Sequence, residues 1–199
     1  MNAFKELPQG YFEYYSVDLL KNKKQSIIMY LLSIIIVVVM VVPMCFVVSF
    51  TTFFDVNDLL KTAIKLGVLS ISIVAYIVLH EAVHGIAMKI CGTKKVKYGF
   101  VGSAAYAGSD DYYNKIAYIF IALAPVVLWG MVLLVINILI PTDWFWVVYL
   151  LQIFNISGAA GDFFVTFKFL RFPKDILVKD SGTSMKVYSQ SKSTAQTVE

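Results

Sequence analysis

Residues 66–88 read LGVLSISIVAYIVLHEAVHGIAM, a run without a lysine or arginine whose one acid and two histidines fall together near its end. About 20 apolar residues in a row is the length at which a helix crosses the hydrocarbon core of a bilayer. Three more runs of this kind lie at 27–50, 116–142 and 144–167. They dominate the composition: 59% of the 199 residues are hydrophobic and 15% charged, with a mean hydropathy of +0.74, whereas soluble domains carry roughly a quarter charged residues. A soluble globular domain, a disordered chain and a disulfide scaffold are excluded. The runs also lack the alternation of a transmembrane barrel, and backbone groups in lipid must be satisfied within the segment. The predicted fold is an all-α polytopic membrane protein, one bundle of four transmembrane helices.

The 17 basic residues follow a topology and do not form a patch. They cluster before the first run, between the second and third (Lys89, Lys94, Lys95, Lys97, Lys115) and after Phe167, while the connection Pro141–Asp143 has none. By the positive-inside rule the N-terminus, the 89–115 loop and the C-terminus are cytoplasmic and 51–61 and 141–143 lie outside, as expected of a multi-pass protein of the cell membrane. The net charge of +4 thus points to anionic lipid as a partner, and no nucleic-acid recognition module is visible. Cys45 and Cys91 are placed for neither a disulfide nor a redox pair. The 26 largely polar residues before the first run, with no small-residue cleavage site, predict a true span there and not a signal peptide.

Between the runs, residues 1–26 are predicted to be a cytoplasmic or interfacial segment whose aromatic and basic stretch 11–24 leads into the first helix. Residues 27–170 form the membrane domain, and 171–199 a cytoplasmic tail with short strand or turn structure that loses order from Ser189. The stretch 92–113, rich in glycine and tyrosine, predicts a small cytoplasmic β-hairpin or extended loop. Pro43 and Pro125 are helix-interior prolines whose freed carbonyls neighbouring groups must satisfy.

The chemistry concentrates in His80-Glu81-Ala82-Val83-His84-Gly85, which contains both histidines of the chain. On a helix, residues four apart lie on one face, so His80 and His84 can offer imidazole nitrogens to one Zn²⁺, with Glu81 beside them as general base toward water. Ionisable groups at membrane depth cost on the order of 3 kcal/mol each on insertion scales, which argues against filler. A hydrolytic zinc needs a third protein ligand and an open position. Of the 13 acids, 11 fall in loops or tails, leaving Glu81 and Asp162. Asp162 comes 18 residues after Trp144 and His80 18 after Thr62, the same depth of roughly 27 Å along two helices. Asp162 follows Ser157-Gly158-Ala159-Ala160-Gly161, small residues that let helices approach closely. Asn155, seven positions earlier, is a candidate to steady a ligand or contact substrate, or simply to hydrogen-bond between helices.

These residues resemble the small putative zincin peptidases of bacterial membranes and, more distantly, the site-2 type intramembrane metalloproteases. The resemblance runs from the first span to Tyr188 and rests on the His80–Gly85 motif, Lys95–Phe100, Leu123-Ala124-Pro125, Asn155–Asp162, Pro173-Lys174-Asp175 and Val178–Gly182. It implies zinc on His80, His84 and Asp162, with Glu81 acting on water, and a membrane-protein or peptide substrate. A metal-stabilised, non-catalytic membrane partner and a metal-binding or transport protein are the alternative readings.

Overall fold

The computed structural model describes residues 3–17, 23–101, 104–182 and 184–190. Among them, four helical stretches are long and apolar enough to cross a membrane: α1 (Lys23–Cys45), α2 (Leu59–Ile90), α3 (Lys115–Leu139) and Thr142–Leu170. Helix α2 starts earlier than its apolar run because Asp58 accepts the Lys61 backbone N–H at 2.9 Å, an N-terminal cap. It therefore runs 32 residues, about 48 Å, and carries the histidine motif well inside its length. The fourth stretch departs from the single helix expected. It opens with a 3₁₀ turn at Thr142–Trp144, continues as α4 (Phe145–Gly158), breaks at Ala159 and resumes as α5 (Ala160–Leu170). The break falls within the run of small residues, where few side chains pack to enforce a continuous helix, and it places Asp162 in the first turn of α5.

The all-α expectation is corrected by two antiparallel sheets. Strands β3 (Lys97–Val101) and β4 (Ala104–Gly108) form the hairpin expected in the 92–113 stretch. The larger sheet, of β1 (Ala3–Phe4), β2 (Phe12–Val17), β5 (Tyr112–Asn114), β6 (Leu177–Asp180) and β7 (Met185–Ser189), has the order β1-β5-β6-β7-β2. Both ends of the chain enter it: β1 pairs with β5 (Ala3↔Tyr113) and β2 with β7 (Val17↔Met185). Residues 12–17 are thus a strand; 18–22 lie outside the described residues. Ser189, expected to begin a tail without order, ends β7 and donates to the Asp175 carboxylate at 2.9 Å. Residues 191–199 lie outside the described residues.

The chain divides into two compact units, Met1–Ile27 with Glu81–Ala124 and Asp162–Glu199, and Ile28–His80 with Pro125–Gly161. In the first, the sheet packs on helix ends through a core that includes Met88, Tyr113, Ile121, Phe169, Ile176, Val178 and Val187. The buried Tyr113 hydroxyl is satisfied by Thr93 and Ser109. In the second, Phe53, Trp146 and Val147 form a smaller cluster, and polar groups on apolar helices find backbone partners. Trp146 Nε1 donates to Ser49 O at 3.1 Å, Tyr149 to Met40 O at 3.0 Å, and Ser33 to Ser157 O, beside the α4 break, at 2.8 Å. The buried Lys65 ammonium donates to the Thr52 carbonyl, which explains how a lysine sits within α2.

Candidate metal centre

His80 and His84 occupy successive turns of α2, and one ligand atom from each of His80, His84 and Asp162 lies within 4.8 Å of the others. All three side chains are half-buried. The three residues singled out as ligands from sequence therefore come together.

The hydrogen bonds of the two rings fix their tautomers. His84 Nδ1 lies 2.9 Å from the Ile121 carbonyl oxygen of α3. A carbonyl only accepts, so Nδ1 carries the proton and the lone pair is on Nε2. His80 Nδ1 lies 2.7 Å from the Tyr76 hydroxyl, and that hydroxyl donates its single proton to Asn155 Oδ1 at 2.7 Å. The Tyr76 oxygen must then accept from His80, which again leaves the lone pair on Nε2. Asn155 is in turn oriented by donation from Nδ2 to the Val126 carbonyl at 3.3 Å. Tyr76 is 6% exposed and Asn155 fully buried, so water does not compete for these contacts. Fixing the outer nitrogen of a histidine in this way is how metal sites orient their ligands.

His84 Nε2 and Asp162 Oδ1 are 3.7 Å apart. Donors about 2.1 Å from one tetrahedral ion stand about 3.4 Å from each other, so the pair needs to adjust by only a few tenths of an ångström. Two imidazoles and one carboxylate, with no thiolate, are the donor set of a hydrolytic rather than a structural zinc, which keeps one position open. Asp162 also benefits from its place in the first turn of α5, where the exposed N–H groups favour a carboxylate.

Glu81 follows His80 on α2, and the backbone of Ala107 in β4 lies near its carboxylate. The hairpin is thus seated against the motif. Its register pairs Tyr98 with Ala107 and Gly99 with Tyr106. Gly85 makes room for this seating: a Cβ there would lie 1.8 Å from the Tyr98 hydroxyl and 2.7 Å from its ring carbon. On the other side, Gly108 abuts the backbone of Ser181 and Gly182, where a Cβ would meet atoms at 2.5 and 2.6 Å. Gly182 has φ +88 and lies under the Tyr106 ring, a combination only glycine tolerates.

Asp180, assigned to the tail from sequence, organises that turn. Its carboxylate accepts the Tyr118 hydroxyl of α3 at 2.6 Å and the Gly182 N–H at 2.8 Å, while its carbonyl accepts the Ser109 N–H at 2.9 Å. Burial pushes the Asp180 carboxyl above its ordinary value, opposed by those two donors. Sequence reasoning missed Tyr76, the Ile121 carbonyl, Ala107, Tyr118 and Asp180. Two carried a signal: Tyr76, one helical turn before His80, and the Ile121 carbonyl, four residues before the helix-interior Pro125.

Residues 73–177, just over half of the chain, match the family described as putative zincin peptidase. A curated relative, described as an uncharacterized 24.7 kDa protein in gap 5'region of Pyrococcus woesei, is 30% identical over 130 residues, covering 59% of this chain and 53% of its own length. The chain spans about half the length of that relative. No solved structure matches this chain.

Proposed function

We propose, from its membership of the putative zincin peptidase family, that this chain is an integral membrane zinc endopeptidase acting on membrane or juxtamembrane peptide segments. The observation that carries the reading is the pair of fixed tautomers: both histidines donate from Nδ1, to Tyr76 and to Ile121, which leaves Nε2 as the free ligand nitrogen of each, with His84 Nε2 3.7 Å from Asp162 Oδ1. His80, His84 and Asp162 would hold the ion. Bound there, zinc supplies a Lewis acid for a peptide carbonyl and acidifies water toward neutrality. Glu81 takes the proton from water and returns it to the leaving amine.

A peptide must be extended to be cut, and β4 supports a route for it. Paired with β3 along its length, it belongs to a hairpin whose free edge can receive a peptide as an added strand, with main-chain hydrogen bonds giving affinity. Membrane insertion is supported by the apolar side chains that α1 and α3 leave exposed, among them Ile34, Val39, Met131 and Leu139, which match lipid. In this reading residues 27–170 span the bilayer, with 1–26, the 89–115 loop and 171–199 on the cytoplasmic side.

Metal analysis of the purified protein is expected to give close to one zinc per chain, lost in His80→Ala and in Asp162→Ala. Normal zinc in Asp162→Ala would remove Asp162 from the ligand set, and no zinc in wild type would refute the reading. A transporter would instead move zinc across sealed vesicles.

A further inference from the structure

We infer that Pro125 is a positioning residue for the metal centre: lacking an N–H, it releases the Ile121 carbonyl within α3, and that carbonyl holds His84 as its Nδ1–H tautomer. In an α-helix the N–H of each residue donates to the carbonyl four residues before it. The carbonyl opposite residue 125 is that of Ile121. Proline has no N–H to give, and its ring crowds the same carbonyl. Pro125 lies within α3, which runs Lys115–Leu139, and Ile121 and Pro125 are both buried. A buried carbonyl without a helical partner requires another donor. The donor is His84 Nδ1, 2.9 Å away.

The vacancy in the helix ladder and the orientation of a metal ligand are thus one feature. Neutral imidazole in water can place its proton on either nitrogen. The released carbonyl selects Nδ1 and so assigns the lone pair to Nε2, the nitrogen 3.7 Å from Asp162 Oδ1. A residue with an N–H at position 125 would claim Ile121 O for the helix, leaving His84 to compete for it. A proline needed only to bend α3 would leave ring orientation and metal affinity unchanged when replaced.

This inference rests on the zinc reading, and the experiment separates the two. Zinc affinity is measured by chelator competition on the full-length protein in detergent or nanodiscs, for wild type, Pro125→Ala and, as a helix-proline control, Pro43→Ala. The expected result is a 10–100-fold weaker affinity in Pro125→Ala, the effect of losing a ligand's outer partner. Thermal stability of the metal-free protein should be unchanged or raised, because alanine suits a helix interior better than proline. Pro43→Ala should bind zinc like wild type. Wild type without zinc would refute the metal reading; wild-type affinity in Pro125→Ala would refute the role of Pro125. A second measurement does not depend on the variant folding. Imidazole ¹⁵N shifts of the metal-free wild type, assigned with the help of His80→Ala, should report His84 protonated on Nδ1. Protonation on Nε2 would overturn the inference.

Discussion

Replacing Tyr76 by phenylalanine removes one oxygen and tests how the first histidine is held. That oxygen lies 2.7 Å from His80 Nδ1 and 2.7 Å from Asn155 Oδ1, in a place where Tyr76 and Asn155 are almost fully buried. Withdrawing a partner from a buried polar group costs about 1–3 kcal/mol, so the metal-free Tyr76→Phe protein is expected to lose stability by about that much. The effect on the metal is separate. Losing the group that fixes a ligand's outer nitrogen weakens metal binding by about 10–100-fold, or about 1.4–2.8 kcal/mol. Zinc-induced stabilisation reads this directly. At a zinc concentration about 100 times the wild-type Kd, linkage gives wild type about 2.7 kcal/mol and the variant only about 0.4–1.4 kcal/mol. Thermal unfolding with and without zinc, alongside chelator competition, makes the measurement. Asn155→Ala should weaken zinc through the same hydroxyl, and the double variant should be less than additive, as for groups in one network. An unchanged zinc affinity in Tyr76→Phe would refute the reasoning that the hydroxyl orients His80.

Two further substitutions address the hairpin. Gly85→Ala drives a methyl to 1.8 Å from the Tyr98 hydroxyl; it is expected to cost about 1–3 kcal/mol and to slow cleavage while zinc stays bound, and Tyr98→Ala in the same chain should restore both, as unfolding and turnover measurements will report. Asp180→Ala removes the acceptor of Tyr118 and Gly182 and loosens the turn beneath β4; turnover is expected to fall several-fold with zinc content unchanged, and a loss of zinc would instead place Asp180 at the metal.

The helices were legible because four long runs with so little charge have the length and apolarity of membrane-spanning helices. Their ends were less so. Helix α2 begins at Leu59, where Lys61 pairs with Asp143 at 2.6 Å and Lys65 reaches the Thr52 carbonyl, so the two lysines that shortened the apolar run do not interrupt the helix. The larger sheet was invisible for a topological reason: Ala3 pairs with Tyr113, and Phe12 with Ser189, in strands too short to show periodicity. Residue type and helical spacing singled out His80, Glu81 and His84, and scarcity of acids in the apolar runs singled out Asp162, whose carboxylate the structure brings near both histidines. One group that orients them, the Ile121 carbonyl, is a backbone atom, on which side-chain identity carries no information. Pro125 was the exception, since a helix-interior proline announces which carbonyl it releases.

The central claim, hydrolysis driven by Glu81, is tested most directly by comparing membrane-protein fragments in cells expressing wild type or Glu81→Gln at equal levels. Glutamine nearly preserves the shape of the side chain and keeps all three proposed ligands, so the variant should purify with close to one zinc. The expected result is a defined set of fragments present with wild type and absent with Glu81→Gln, reproduced when the purified wild-type protein meets the parent substrate in vesicles. Identical fragment profiles, with Glu81→Gln supporting every cellular phenotype of the wild type, would contradict the peptidase account and leave a metal-stabilised membrane partner in its place.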